Sequence, residues 1–524
     1  MKFLHDTPVL VLGLGDSGLA MVRWCVRCGA QVSVWDSRAE PPHAATLAAQ
    51  LPGVTLLRGE LQPAQLQGQQ MLLKGPGLAP SDPRIAPLLQ EARDMGLACW
   101  GELDLFARAL HDLKADQGYA PKLLAITGTN GKTTTTAMTA LLVKRTDQRV
   151  AMAGNIGPTM LDTLMAALDA PTEERPQVWV LELSSFQLEG GGAGVNAASG
   201  YAPDAAVVLN ITQDHLDWHG SLAAYAAAKA RVYGPHGVMV VNRDDPLVEA
   251  MLPKARQPGD SKVKTKDRVP ARSVTRFGLG APQRPGDFGL VTEGGMAWLV
   301  RALPTDETVK RRKGEEEEIH LQRLMPADAL RVRGRHNAAN ALAALALASA
   351  IGCPLAPMLH GLREYAGEPH RGQWVGRVGG VDAYDDSKGT NVGATVAALQ
   401  GLGADLTPAR LVVILGGDGK GQDFGPLAAP LQRHARAVAT LGRDAAAVEA
   451  AVSDALRTEG VPLQRFDSLP AAVTWCFEQA RPGDAVLLSP ACASLDMFQN
   501  YAHRAQVFVE AVQTLAADRG EVTV

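Results

Sequence analysis

Lys122-Leu123-Leu124-Ala125-Ile126-Thr127-Gly128-Thr129-Asn130-Gly131-Lys132-Thr133-Thr134-Thr135-Thr136 starts as a strand, turns on glycine and continues as a helix-forming run. The apolar strand covers Leu123 to Ile126, and the turn closes on Gly131-Lys132-Thr133. This is the layout of a phosphate-binding loop. Backbone N–H groups and a helix N-terminus face the anion, Lys132 adds a point charge, and the Thr133 or Thr134 hydroxyl can reach Mg²⁺. The strict G-x-x-x-x-G-K-[ST] spacing asks for Gly at position 126, where this chain has Ile, so the loop is a variant.

Working outward, strands alternate with helices on both sides of the loop, which implies mostly parallel sheets covered on both faces. The expected fold class is α/β with three domains. At 524 residues there is length for two to four domains with ample core. A net charge of −4 gives no electrostatic footprint for nucleic acid. No apolar run approaches a membrane span, and the N-terminus lacks a signal-peptide layout. Six scattered cysteines suit a reducing cytoplasm. Cys25 and Cys28 make a C-x-x-C inside an expected helix, where packing or inert thiols are the better reading.

The first segment opens with strand Pro8 to Leu12, then Gly13-Leu14-Gly15-Asp16-Ser17-Gly18, a helix through Cys28, and strand Gln31 to Trp35 ending at Asp36. This G-x-G-x-x-G with a following acid lets a diphosphate approach the backbone and offers a carboxylate to a ribose hydroxyl. Read alone it suggests a nicotinamide-dependent oxidoreductase; the same geometry can hold other nucleotide diphosphates. Met71 to Leu73 reads as a later strand, followed by Lys74-Gly75-Pro76-Gly77, and the segment is expected to end near Gly118.

In the central segment, Val178 to Leu183 is a buried strand bearing Glu182, and a carboxylate at the C-terminal end of a parallel strand points at the ligand crevice. Ala205 to Ile211 is another strand, followed by Asp214-His215, which could be a metal ligand and its orienter or a structural pair. Ser221 to Tyr233 reads as a helix. Its Lys229 is either a solvated charge or a buried amine of lowered pKa able to form a carbamate with CO₂. Residues about 253 to 330 are rich in Pro, Gly and charge and read as a peripheral insertion. Within them Lys310 to Glu318 is a basic run cancelled by an acidic one, best read as a solvated loop or hairpin tip. The last segment holds strands Val381 to Tyr384, Arg410 to Leu415, Ala437 to Leu441 and Ala485 to Ser489. Loops Asp385 to Asn391, Leu415 to Lys420 and Ser489 to Asp496 bring lysine, carboxylate and hydroxyl groups to strand ends.

These strings as an ordered set resemble the Mur ligase family, over nearly the whole chain except about 253 to 330. They run from Gly128-Thr129-Asn130-Gly131-Lys132-Thr133-Thr134 through Gly154-Asn155-Ile156-Gly157, Glu182 to Leu188, Asp214-His215-Leu216-Asp217 and Tyr225 to Lys229. Gly334-Arg335-His336-Asn337-Ala338-Ala339-Asn340, Asp386 to Asn391, Gly416 to Lys420 and Ser489 to Ser494 continue them. The C-terminal loops look like those of the D-glutamate-adding members. The Asp-Asn-Pro-Arg motif typical of the meso-diaminopimelate-adding relatives is missing from the sequence. Gly75 departs from the Ser usual before Pro-Gly.

The resemblance implies an N-terminal Rossmann-like domain (1–118) for a UDP-linked substrate. A central P-loop ATPase-type sheet (119–364, with the 253–330 insertion) would bind ATP and Mg²⁺. A C-terminal Rossmann-like domain (365–524) would close on ATP and bring D-glutamate. The implied reaction is ATP-dependent ligation of D-glutamate to UDP-MurNAc-L-Ala through an acyl phosphate; alternatives are another step of the same family or a folylpolyglutamate synthase-like ligase. By resemblance, Lys132, Asn155, Glu182, His215 and Lys229 are catalytic. Thr133 and Glu182 would hold one Mg²⁺, with His215 and a carbamylated Lys229 holding a second. ATP would meet Gly128 to Thr134, Asn337, Asn340, Arg371, Asp386 and Lys388. The UDP substrate would meet Gly15, Asp16, Ser17, Asp36, Ser37, Arg38, Gly77 and Asn155. D-Glutamate would meet Thr390, Lys420, Ser494, Leu495 and Tyr501. A cytoplasmic monomer is the expected form.

Overall fold

The computed structural model describes residues 2–190, 199–253, 272–305 and 318–521. Three parallel or mostly parallel sheets follow one another along the chain. The first contains β1 (Pro8–Leu12), β2 (Gln31–Trp35), β3 (Thr55–Leu57), β4 (Met71–Lys74) and β5 (Ala98–Trp100), ordered β3-β2-β1-β4-β5. The second contains β6 (Lys122–Thr127), β7 (Val150–Gly154), β8 (Val178–Glu182), β9 (Ala205–Val208), β10 (Val238–Asn242) and β11 (Val274–Phe277), ordered β11-β10-β9-β6-β8-β7. β8 is buried at every position and β6 at all but its first, because helices cover both faces; such strands read as continuous apolar runs rather than alternating ones.

A separate antiparallel sheet of β12 (Phe288–Glu293), β13 (Met296–Pro304) and β14 (Ile319–Pro326) comes next. The last sheet contains β15 (Gln373–Val378), β16 (Val381–Asp385), β17 (Leu411–Gly416), β18 (Ala435–Leu441), β19 (Leu463–Arg465) and β20 (Ala485–Leu488), ordered β15-β16-β20-β17-β18-β19. Only its edge strand β15 is antiparallel to its neighbour. No helix among the described residues is long and apolar enough to cross a membrane.

The sequence reading of residues 253 to 330 as wholly peripheral is corrected. β11 pairs in parallel with β10 and completes an edge of the central sheet. Phe288, Leu299 and Met325 of the antiparallel sheet are buried in one core with Phe277 and helix Arg335–Ala350. The stretch is rich in charge and proline, yet Phe288, Leu290, Leu299, Val300 and Met325 are buried. Of the run from Lys310 to Glu318, all but Glu318 lies outside the described residues. Helix 221–233 is shorter than read: Leu222–Ala230 is α-helical and Arg231–Tyr233 tightens to a 3₁₀ turn. Cys25 is buried and Cys28 half-buried, both free, and burial pushes both thiols above their ordinary pKa, as inert packing requires.

Candidate active site

β6 delivers the chain into the phosphate loop, and helix Lys132–Lys144 leaves it. A second layer holds the loop's backbone. Asn210 accepts from the Asn130 N–H at 2.8 Å and donates its own amide to the Asn130 carbonyl at 3.0 Å. Thr129 Oγ accepts from the N–H of Thr212 (3.0 Å) and from the Tyr225 hydroxyl (3.2 Å). Lys132 Nζ donates to the carbonyls of Gly128 (2.9 Å) and Thr129 (2.8 Å). Burial lowers its pKa; Glu182 and Asp214 oppose that drop, and Arg371 and Lys388 add to it.

Glu182 ends β8 opposite Ile126 of β6, so its side chain stands beside the loop. One oxygen accepts from Asn155 Nδ2 at 2.8 Å. The other, Oε2, is buried and has no hydrogen-bond partner among the described residues. An orphaned buried carboxylate oxygen on the strand beside the loop fits a hard cation such as Mg²⁺, which takes oxygen ligands and water. In this structure the Thr133 hydroxyl accepts instead from Arg371 Nη2 at 2.6 Å.

Lys229 is 1% exposed. Its amine donates to the same Gly128 carbonyl as Lys132, at 2.8 Å, with Thr127 Oγ at 3.4 Å and the Tyr225 ring 4.6 Å away. Burial, then the charge of Lys132, drives its pKa well below that of a free lysine. The solvated-charge reading is thereby excluded. His215 sits in left-handed backbone (φ 53°), its Nε2 3.5 Å from Asp214 Oδ2. Burial lowers its pKa, Asp214 opposes, and Lys420, Lys132 and Lys229 add to the drop, which favours the neutral, ligating imidazole.

In the first domain, Gly18 meets a steric demand: a Cβ there would lie 1.9 Å from the Gly13 carbonyl, so helix Asp16–Arg27 can pack this close to the turn only with glycine. Ser17 donates to Glu102 at 2.6 Å, and Asp16 pairs with His43 at 2.7 Å. Asp36, expected to suit a ribose hydroxyl, is engaged by its neighbours in this structure. Its carboxylate takes the N–H of Leu14 (2.7 Å) and three donors of Arg38 (2.7–2.9 Å). Burial raises its pKa, but these donors outweigh burial and hold it down to about 2. Asp36 therefore braces the glycine turn. Ser37 is half-buried beside it, and Gly15 and Gly77 have open space where a Cβ would be.

The C-terminal domain packs directly on the loop. Besides Arg371, Asn391 donates to Asn130 Oδ1 at 3.0 Å and lies 3.4 Å from Asp214 Oδ2. A Cβ on Gly393 would sit 2.8 Å from Thr212 Oγ, so the helix following Asn391 needs glycine to come this near. Asn340 lies beside Gly131 and donates to Asn337 at 3.2 Å. Asp386 accepts from Ser489 at 2.7 Å, and its pKa is raised to about 7, chiefly by burial. Lys388 Nζ lies 3.7 Å over the Tyr501 ring, Thr390 follows in the same loop, and Ser494 is buried. Lys420 is exposed, in left-handed backbone, close enough to bias His215. Leu495 is 71% exposed.

Sequence reasoning gave no site role to Asn210 and Thr212 and named Asn391 only as the end of a loop motif; their partners lie 80 to 261 residues away. It also missed Arg504, 1% exposed, which donates to Ser387 and to the carbonyls of Cys492 and Ala493, tying two candidate substrate loops together. An arginine within an otherwise inward-facing stripe of helix Tyr501–Asp518 was the available signal.

Three family models match in chain order: "Mur ligase MurD-like, N-terminal domain" at residues 7–101, "Mur ligase middle domain" at 126–277, and "Mur ligase, glutamate ligase domain" at 370–492. Among curated proteins, the UDP-N-acetylmuramoylalanine--D-glutamate ligase of Albidiferax ferrireducens is 57% identical, the match covering 99% of this chain and 98% of that one. Its namesake from Polaromonas sp. is 50% identical over the full length of both. The namesake from Burkholderia pseudomallei is 55% identical over 98% of each. Among solved structures, MurF from Acinetobacter baumannii superposes with a TM-score of 0.55 at 16% identity, covering 97% of this chain and 92% of that one. MurF from Thermotoga maritima in complex with ADP also gives 0.55, at 14% identity, covering 98% and 96%. The same three-domain α/β architecture is shared with these structures, and identity at this level along the whole length leaves one assignment: the chain belongs to the Mur ligase family.

Proposed function

We propose that this protein ligates D-glutamate to UDP-N-acetylmuramoyl-L-alanine at the expense of ATP, forming ADP and phosphate, as a cytoplasmic monomer in peptidoglycan precursor synthesis. The observation that carries the reading is the meeting of the central and last domains at one loop. Arg371 and Asn391 from the last domain reach Thr133 and Asn130, while Glu182 offers an unpaired oxygen from below.

Bound Mg²⁺ would supply charge neutralisation on the phosphoryl oxygens, with Thr133 and Glu182 as one ligand set and His215 with a carbamylated Lys229 as another. The rest falls to the chain. Backbone N–H groups of Gly128 to Thr134 cradle the triphosphate. Lys132 swings from the loop carbonyls onto the γ-phosphate as the L-alanine carboxylate attacks it. Asn155, already held by Glu182, donates to the transferring oxygens. Asn337, Asn340, Arg371, Asp386 and Lys388 fix the nucleotide between domains. The acyl phosphate then meets the D-glutamate amine, and phosphate leaves from the tetrahedral adduct. Thr390, Lys420, Ser494 and the backbone near Leu495 and Tyr501 grip the two carboxylates of D-glutamate. Gly15 to Ser17, the Ser37-Arg38 turn buttressed by Asp36, and Gly77 hold the UDP end.

A low-pKa amine sealed beside Lys132 supports the carbamate, because only an uncharged amine reacts with CO₂ and an anionic product relieves the repulsion between two ammonium groups. The deciding assay is coupled phosphate release with ATP and UDP-MurNAc-L-Ala, comparing D-glutamate, L-glutamate and other amino acids. Turnover with D-glutamate far above the rest is expected. Preference for another amino acid, or none, would overturn the assignment.

A further inference from the structure

The order β3-β2-β1-β4-β5 reverses between β1 and β4, and ligands of such sheets bind outside the strand ends at that reversal. β4 ends there in Lys74, in register with Leu12, the last residue of β1. Lys74 is 2% exposed. Its ammonium donates to two neutral acceptors, the carbonyls of Gly75 (3.2 Å) and Leu78 (2.9 Å). The acid that influences it, Glu189, is itself paired with Arg231 at 2.9 Å. Burial pushes the Lys74 pKa down to about 8, Glu189 opposing. A buried cation satisfied only by carbonyls is a costly arrangement for a mere strut.

The same ammonium lies 5.7 Å from the ring of Trp218, which belongs to the central domain. The Trp218 indole N–H is buried and has no acceptor among the described residues. Trp218 packs tilted on Phe186, with ring centroids 4.2 Å apart, and Phe186 meets the His215 ring at 4.7 Å. Lys74 and Trp218 thus stand between the glycine turn of the first domain and the phosphate-transfer residues of the second, with one under-compensated cation and one orphaned donor facing the interface.

We infer that Lys74 and Trp218 form a subsite for the acceptor oxygens of the muramoyl-L-alanine arm, the part of the nucleotide-sugar that spans from diphosphate to reacting carboxylate. This deepens, and rests on, the function proposed above. Lys74 contributes the charged donor and Trp218 the neutral one, so the arm is held at its middle while UDP is held elsewhere.

The test compares binding of UDP and of UDP-MurNAc-L-Ala by titration calorimetry to the full chain, wild type, Lys74→Met and Trp218→Phe, with steady-state kinetics of each. Lys74→Met should lose about ten- to a hundred-fold in affinity for the whole substrate. Trp218→Phe, which keeps the ring and removes the N–H, should lose about three- to ten-fold. UDP affinity, and KM for ATP and D-glutamate, should stay within about two-fold in both, since the contact is to neither. Equal losses for UDP and for the whole substrate would mean that Lys74 only props the Gly75–Leu78 turn and would overturn the inference, as would unchanged affinity. Should Lys74→Met fail to fold, unaltered substrate binding by Trp218→Phe overturns it alone. A wild-type chain that neither binds nor turns over UDP-MurNAc-L-Ala would instead sink the proposed function.

Discussion

Replacing Arg504 with Met should loosen the amino-acid end of the site more than it unfolds the protein. The guanidinium donates to Ser387 Oγ (3.0 Å), the Ser387 carbonyl (2.8 Å), the Cys492 carbonyl (3.1 Å) and the Ala493 carbonyl (3.4 Å). Four buried acceptors left without that donor, at about 1.5 kcal/mol each, represent about 6 kcal/mol gross. Against this stands the cost of burying the cation. Its pKa falls from 12.5 to about 10, chiefly through burial. That drop corresponds to about 3 kcal/mol which Met no longer incurs. The net destabilisation is then about 3 kcal/mol. Because the lost bonds join the loop of Ser387 to Thr390 with that of Cys492 to Ser494, the D-glutamate KM should rise by at least about ten-fold. The UDP-substrate KM should change by less than about three-fold, as the proposed function places that ligand in the other domains. Thermal denaturation and steady-state kinetics with each substrate varied in turn would check both halves. A folded Arg504→Met with the wild-type melting temperature and wild-type D-glutamate KM would refute the tether.

Other expectations follow from single residues. Lys132→Ala should abolish turnover while calorimetry still shows UDP-substrate binding, because loop and glycine turn lie in different sheets; loss of that binding in a folded variant would contradict the division. Lys229→Ala should be nearly inactive and partly recovered by small added carboxylates, which replace the carbamate oxygens; full activity without them would end the carbamate reading. Glu102 has its pKa raised to about 7 from 4.5 by burial. Its protonated form is favoured by folding, so it imposes no cost below about pH 4.5 and a growing cost as pH rises through 7. Glu102→Gln should match wild-type stability near pH 4 and exceed it near pH 8, by up to about 3 kcal/mol. Identical pH-stability curves for the two proteins would exclude the effect.

What the sequence could disclose was mostly local. The phosphate loop and the glycine turn are legible because strand, turn chemistry and helix lie within about fifteen consecutive residues, where backbone rules act directly. Glu182 was legible because a carboxylate ending an apolar strand has few structural reasons to be there. Lys229 was not: its surroundings are alanines in sequence, whereas its burial is set by Thr127, Gly128 and Tyr225. Asp36 was legible as an acid ending the second strand, but the four donors from Leu14 and Arg38 that engage it were not. Residues 253 to 330 were misjudged on composition. Gly294-Gly295, both at positive φ and set between apolar strands, carried the hairpin signal that the neighbouring charges obscured.

Asn130 has its main chain clasped by Asn210 of its own domain and its side chain engaged by Asn391 of another. One residue of the candidate phosphate loop is therefore joined to the position of the last domain, and any coupling of nucleotide to that position is reciprocal. Whatever factor nucleotide adds to the affinity of the last domain for the central one, docking of that domain must add to the affinity for nucleotide. On the proposed function, a ligand that stabilises the docked last domain should tighten nucleotide by the same factor. Breaking the Asn391 arm should weaken that coupling and leave the Arg371–Thr133 contact as the remaining link.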